Sequence, residues 1–100
     1  MEKEAIEIIY EGLIGVNSIP NDIRIKKEFN IDKLNKIKSA INVLTPLYKD
    51  KISVPKKLAV CFIDIYGMFQ FKEDFFSEEE LIMYEDIGIE LQDLAYQLFE

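Results

Sequence analysis

Apolar positions near the start of this chain recur at steps of three and four residues, the spacing of one face of an α-helix. Ile6, Ile9 and Leu13 share this face, and glutamates occupy the opposite one. We therefore predict a first helix from about Glu2 to Ile14.

The region after the first helix has no clear period. Gly15 suits a helix C-terminus, and we expect Pro20 to prevent the first helix from continuing. We predict a long polar connection over residues 16–30, in which residues 23–29 are either a helical turn or an extended piece.

The second predicted helix has the clearest periodicity. Asn30 is a candidate N-cap, and Asp32 falls in the first turn, where the helix dipole favours negative charge. Its apolar stripe consists of Ile31, Leu34, Ile37, Ile41 and Leu44. Pro46 is expected to end or kink this helix, so residues 47–53 are a turn or a short continuation.

A third helix is predicted from Leu58 to Phe71, opened by Ser53 and Pro55. Nearly every face of it is apolar, which is typical of the central helix of a bundle. We expect Cys61 to be a buried small hydrophobe. Asp64, the one charge in this run, is expected on its most exposed face.

The fourth predicted helix has the strongest start signal. Ser77 and Glu80 have the spacing of a capping box, and Phe76 and Leu81 that of a hydrophobic staple. Glu78 falls in the first turn, where the dipole favours it. The four helices predict an all-α fold, an antiparallel bundle of about four helices forming a single domain over residues 1–100.

The fourth helix carries two apolar lines. Its main stripe consists of Tyr84, Ile87, Leu91, Leu94, Ala95 and Leu98. On the other side Ile82, Ile89 and Tyr96 recur every seven residues; we call these three residues the seam. At 100° per residue the seam falls among four acids, Glu78, Glu85, Asp86 and Asp93.

An apolar patch with a charged rim is what a protein-binding surface needs, because apolar anchors provide affinity and charges steer the partner. The seven residues of the seam and its acids are our candidate binding residues. The alternative is that the first helix or residues 16–30 cover the seam, and the sequence leaves both open.

The amino-acid composition limits the kinds of catalytic and metal-binding site that the chain could form. The chain has no histidine and one cysteine, which excludes Ser–His–Asp and Cys–His catalysis and a cysteine–histidine zinc site. Its four glycines form no phosphate-binding loop. We expect no catalytic residue, no metal or other cofactor and no small-molecule substrate.

Carboxylate pairs give one enzyme alternative. Glu4 with Glu7, and Glu90 with Asp93, resemble the paired acidic motifs of Mg²⁺-dependent all-α nucleotide pyrophosphatases, because three-residue spacing puts each pair on one helix face. Both pairs, however, are expected to face away from the apolar stripes, whereas a site inside a bundle needs inward ligands.

Charge is unevenly distributed. Residues 22–57 hold ten basic and four acidic residues, net +6, whereas residues 58–100 hold one lysine and eleven acids, net −10. An acidic block repels nucleic acid and attracts basic proteins. A basic patch for nucleic acid could be formed by the middle lysines, Lys26, Lys27, Lys33, Lys36 and Lys38. The net charge of −7 instead favours lysines that are solvated or that offset the acidic fourth helix, so we expect no nucleic-acid partner.

The chain also has no membrane signal. Its most apolar window, Leu58–Phe69, has twelve residues and includes Asp64, short of the roughly 20 residues that a membrane-spanning helix needs. The acidic N-terminus does not have the pattern of a signal peptide. With one cysteine the chain suits a reducing compartment, and we expect a cytoplasmic protein without a membrane partner.

The last 40 or so residues resemble small all-helical bacterial immunity proteins of the colicin D and contact-dependent growth inhibition type. The resemblance rests on an aromatic-rich helix with Phe62 and Tyr66 four apart, a short acidic loop, the Ser77-x-x-Glu80 cap and a final acidic helix. Phe76 stands where that pattern has leucine, and residues 1–57 do not take part.

The resemblance implies a helical bundle that binds a cognate toxin domain, commonly a nuclease acting on tRNA, and occludes its active site. The family has no catalytic residues. The alternatives are an immunity protein of the pediocin-like bacteriocin type, the pyrophosphatase above, and a phage-encoded inhibitor of a nucleic-acid enzyme.

Overall fold

The computed structural model describes residues 1–25 and 30–100, and every regular element within these two ranges is helical. The elements are α1 (Glu2–Leu13), α2 (Ile19–Arg24), α3 (Ile31–Tyr48), α4 (Lys56–Val60), α5 (Ile65–Met68) and α6 (Glu78–Phe99), with a 3₁₀ turn at Glu73–Phe75. The predicted all-α class is confirmed.

Helix α1 follows its prediction closely. Ile6, Ile9 and Leu13 are buried, as the period requires. The carbonyl oxygen of Tyr10 accepts from the N–H groups of both Ile14 (2.7 Å) and Gly15 (3.0 Å), which closes the last turn. The helix therefore ends one residue earlier than predicted.

The connection predicted over residues 16–30 contains a short helix, α2, which the sequence pattern did not predict at Ile19–Arg24. Ser18 caps this helix by accepting from the N–H of Asn21 (3.3 Å). Pro20 sits in the first turn, where its missing N–H is not needed. The proline therefore helps to begin α2. Two alternatives were open for residues 23–29, a helical turn or an extended piece. Ile23 and Arg24 are helical, and residues 26–29 lie outside the described residues.

Helix α3 begins as predicted. The Asn30 side chain accepts from the N–H groups of Asp32 (2.9 Å) and Lys33 (3.3 Å). The helix continues past Pro46 to Tyr48, which is the short continuation rather than the turn. Ile31 was predicted to be in the stripe but is exposed in the first turn; the other four positions of the stripe are buried.

The third predicted helix, from Leu58 to Phe71, is wrong as a continuous element. Between α4 and α5 the chain tightens to three-residue hydrogen bonds, from the N–H of Cys61 to Leu58 (3.2 Å) and from that of Phe62 to Ala59 (3.1 Å). The physical reason is composition, since β-branched, aromatic, Asp and Gly residues of low helix propensity dominate this segment. Cys61 is buried and Asp64 is exposed, as expected.

The central helix is α3, which packs against both α1 and α6. Helices α1 and α3 run antiparallel, because Tyr48 at the end of α3 donates its hydroxyl to Glu2 at the start of α1, while Gly12 near the end of α1 abuts Ile37. Helix α5 packs against α6 and α4 against α1. One face of α6 therefore lies on the core, and the other carries the seam.

Candidate protein-binding surface

Helix α6 is held in place by its cap and by its buried stripe. The Ser77 hydroxyl accepts from the N–H of Glu80 (3.1 Å), and the Glu80 carboxylate accepts from the N–H of Ser77 (2.9 Å), so the predicted capping box is confirmed. Five of the six stripe residues are buried and Leu94 is half-buried. This packing fixes the direction in which the opposite face points.

All three seam residues are exposed. The exposed fraction is 55% for Ile82, 39% for Ile89 and 70% for Tyr96. The sequence allowed the seam to be either exposed or covered by another segment. The described helices do not cover it.

Three of the four acids beside the seam are exposed: Glu78, Asp86 and Asp93. Glu85 is half-buried, because its carboxylate accepts from Gln70 Nε2 (3.2 Å) and, over a longer 3.4 Å, from the Tyr66 hydroxyl. Glu85 thus joins α6 to the end of the α5 segment. Glu78 lies in the first turn of α6, before the first seam residue, whereas Asp86 and Asp93 each lie between successive seam residues along the helix and are best placed to meet a partner's charge.

The structure adds a neighbouring apolar groove that the sequence reasoning missed. It lies between the α4–α5 segment and the last turns of α6 and has a volume of about 780 Å³. Ile63, in the turn between α4 and α5, is 80% exposed beside it, and Phe62 meets Phe99 edge-to-face with ring centroids 5.6 Å apart. The low helix propensity of residues 60–67 was the available signal, because a broken helix turns apolar side chains outward.

In both acidic pairs of the pyrophosphatase alternative, one carboxylate forms an ion pair with a lysine of another helix. Glu7 on α1 pairs with Lys57 on α4, and Glu90 on α6 pairs with Lys38 on α3 at 2.7 Å. Within residues 1–25 and 30–100, no three acidic or cysteine side chains cluster where they could hold a metal ion.

The middle lysines are divided between contacts and solvent. Lys33 bonds the carbonyl oxygen of Asn17 (2.6 Å) and the carboxylate of buried Asp22 (3.3 Å), linking α3 to the start of α2. Lys38 is held by Glu90, whereas Lys36 is exposed. Lys26 and Lys27 lie outside the described residues.

The single thiol is unsuited to nucleophilic chemistry. Cys61 is fully buried, and burial raises the pKa of its thiol to about 11. Because the thiolate is the reactive form, this cysteine is inert near neutral pH.

Comparison with protein-family models, with curated proteins and with solved structures finds no match for this chain. Among the described helices, none is both long and apolar enough to cross a membrane.

Proposed function

We propose that this chain is an immunity protein that binds a basic bacterial toxin domain, a nuclease such as one that cleaves tRNA, and blocks its active site. The observation that carries the proposal is the seam: Ile82, Ile89 and Tyr96 are all exposed on the face of α6 opposite its buried stripe. The sequence resemblance and the acidic surface support it from separate directions.

The apolar part of the surface would provide the affinity. Two isoleucines and a tyrosine spaced seven residues apart form a line about 21 Å long at roughly 1.5 Å per residue. Isoleucine and tyrosine side chains bury large apolar areas at protein interfaces, and tyrosine is enriched among the residues that contribute most.

The charged part would provide the choice of partner. Ten acids and no basic residue follow Lys72, and Asp86 and Asp93 stand exposed beside the seam. A nuclease must attract phosphate and therefore carries a basic substrate groove. Carboxylates can occupy that groove in place of phosphates, and electrostatic steering speeds capture.

In this proposal the protein acts in the cytoplasm, as an antiparallel helical bundle that uses a surface and no catalytic group. The engagement of Glu7 and Glu90 by lysines of other helices favours structural roles for these carboxylates over shared metal ligation. The acidic outer face of α6 is the reverse of the basic amphipathic surface that suits membrane attachment.

Growth protection tests the proposal. The reading frames next to this gene are first searched for a basic nuclease domain, and such a candidate toxin domain is expressed in a bacterial host, with and without the chain. We expect the chain to relieve growth arrest and the double variant Ile82→Ser, Ile89→Ser to lose protection. The matched control is Ile31→Ser, Ile52→Ser, which removes two exposed isoleucines elsewhere and should still protect. Failure of the unaltered chain to protect, or equal protection by both doubles, contradicts the proposal.

A further inference from the structure

The apolar groove beside the seam is lined by aromatic and aliphatic side chains of the α4–α5 segment and of α6. Phe62 and Phe99 pack edge-to-face at 5.6 Å, Ile63 and Tyr96 rise on opposite sides, and Val54 and Ala59 also line it. Its volume of about 780 Å³ lies within the roughly 300–1,000 Å³ range of binding pockets.

The groove's apolar walls are open to solvent. Ile63 is 80% exposed and Tyr96 70%, and Phe99 is also exposed. Contiguous exposed apolar surface with a polar rim marks an interaction site more often than a scattered exposed residue does.

The charged residues around the groove favour one kind of binding partner over another. Asp64 follows Ile63, Asp93 lies one helical turn before Tyr96, and Glu100 lines the groove itself. Helix α4 carries two lysines: Lys57 pairs with Glu7 on α1, and the exposed Lys56, one turn before Ala59, is the single basic residue of α4 left beside these three acids. The rim is therefore acidic, and a second copy of this chain would bring acids against acids, so a basic occupant is favoured.

We propose that this groove receives an amphipathic helix of the toxin partner, with aliphatic anchors at three- and four-residue spacing and lysine or arginine along its edges. The inference rests on the proposed function and deepens it by adding a second contact. This contact lies at the C-terminal end of α6, whereas Ile82 lies near the start of the helix. A trough between helical segments, lined by aromatic and aliphatic side chains, suits the helix-in-groove mode of recognition. Tyr96 belongs to both the seam and the groove and joins the two contacts.

A synthetic peptide tests the groove directly. The probe is a labelled helix of about 15 residues, roughly 22 Å long, with leucine at i, i+3, i+4 and i+7 and lysine elsewhere. Binding is measured by fluorescence anisotropy. We expect Ile63→Ser to weaken binding about tenfold, as loss of a central anchor does. Ile52→Ser makes the same change at a fully exposed isoleucine outside the groove and should leave binding unchanged.

Three results would overturn the inference: equal binding by both variants, equal binding by a peptide with glutamate in place of lysine, or a dimer of this chain in sedimentation that Ile63→Ser dissociates. The growth assay separates the two proposals. If the peptide misses the groove while the chain still protects cells, the groove inference alone fails. If the peptide binds the groove and protection is absent, the groove stands and the toxin-inhibitor function fails.

Discussion

Tyr48 and Glu2 join α3 to α1 at one end of this antiparallel helix pair: the Tyr48 hydroxyl, at the end of α3, donates to the Glu2 carboxylate at the start of α1. Burial, with this hydrogen bond and the nearby negative charge, raises the pKa of Tyr48 to about 12. The two residues are far apart in sequence, and their contact makes the free energy of unfolding depend on pH in the alkaline range.

The raised pKa of Tyr48 predicts a loss of stability above pH 10. The folded state holds the phenol proton more tightly than the unfolded chain, whose pKa is about 10. The stabilisation is therefore complete below about pH 10 and is lost as pH rises towards 12. Urea unfolding between pH 9 and 12 measures it, with Tyr48→Phe as the control, since the buried Cys61 thiol, whose pKa is about 11, also titrates in this range. The unaltered chain should lose more free energy of unfolding than the variant; parallel curves contradict this.

The capping box predicts a measurable contribution of Ser77. Ser77→Ala removes the acceptor for the N–H of Glu80 and should lower the free energy of unfolding by about 1 kcal/mol. Ser53→Ala, at an exposed position between α3 and α4, should change it by less than about 0.5 kcal/mol. Chemical denaturation of both variants checks this, and an equal effect of the two would show that the cap is not what stabilises α6.

Gly12 is predicted to be required by packing rather than by backbone conformation. A Cβ atom there would lie 2.4 Å from Cδ1 and 2.7 Å from Cγ1 of Ile37, which is fully buried and has little room to move. Gly12→Ala should therefore lower the free energy of unfolding by about 1–3 kcal/mol, although alanine is the better helix former.

A double-mutant cycle for Gly12→Ala isolates the cause. Ile37→Val removes Cδ1, the nearest atom, so it should cost less in the Gly12→Ala background than in the unaltered chain. A Gly12→Ala protein that is more stable than the unaltered chain would disprove the close contact.

Cys61 is predicted to react only when the fold opens. Its thiol is buried and its pKa is raised to about 11, so alkylation at pH 8 should be slow in the folded chain and fast in urea. The control is an exposed thiol, Ser53→Cys in a Cys61→Ala background, which should react rapidly in both conditions. Rapid labelling of native Cys61 contradicts its placement in the core.

The features that local sequence determines were predictable. The caps at Asn30 and Ser77 depend on residues two or three positions apart, and the stripe of α6 depends on its period. The position of the seam opposite this stripe follows from the same period. Its exposure did not, because the period cannot show whether another segment covers that face.

Two kinds of feature were not predictable: those set by hydrophobicity competing with helix propensity, and those set by contacts between residues distant in sequence. An unbroken helix over Leu58–Phe71 matched the hydrophobicity, but weak helix formers let the chain turn at Cys61 and Phe62. The pairing of Glu85 with Gln70, and the groove beside Phe99, follow from how that broken segment packs on α6. Periodicity carries no information about such contacts.

The central claim is that the acidic seam of α6 binds a basic partner. The most direct test is the affinity of the purified chain, at low and moderate salt, for the candidate toxin domain used in the growth assay. The test variant is Asp86→Lys, Asp93→Lys, and Glu4→Lys, Asp50→Lys is the control with the same change in net charge at exposed acids elsewhere. The account predicts at least about tenfold weaker binding and a flatter salt dependence for the test variant alone. Unchanged affinity and salt dependence in the test variant would contradict it.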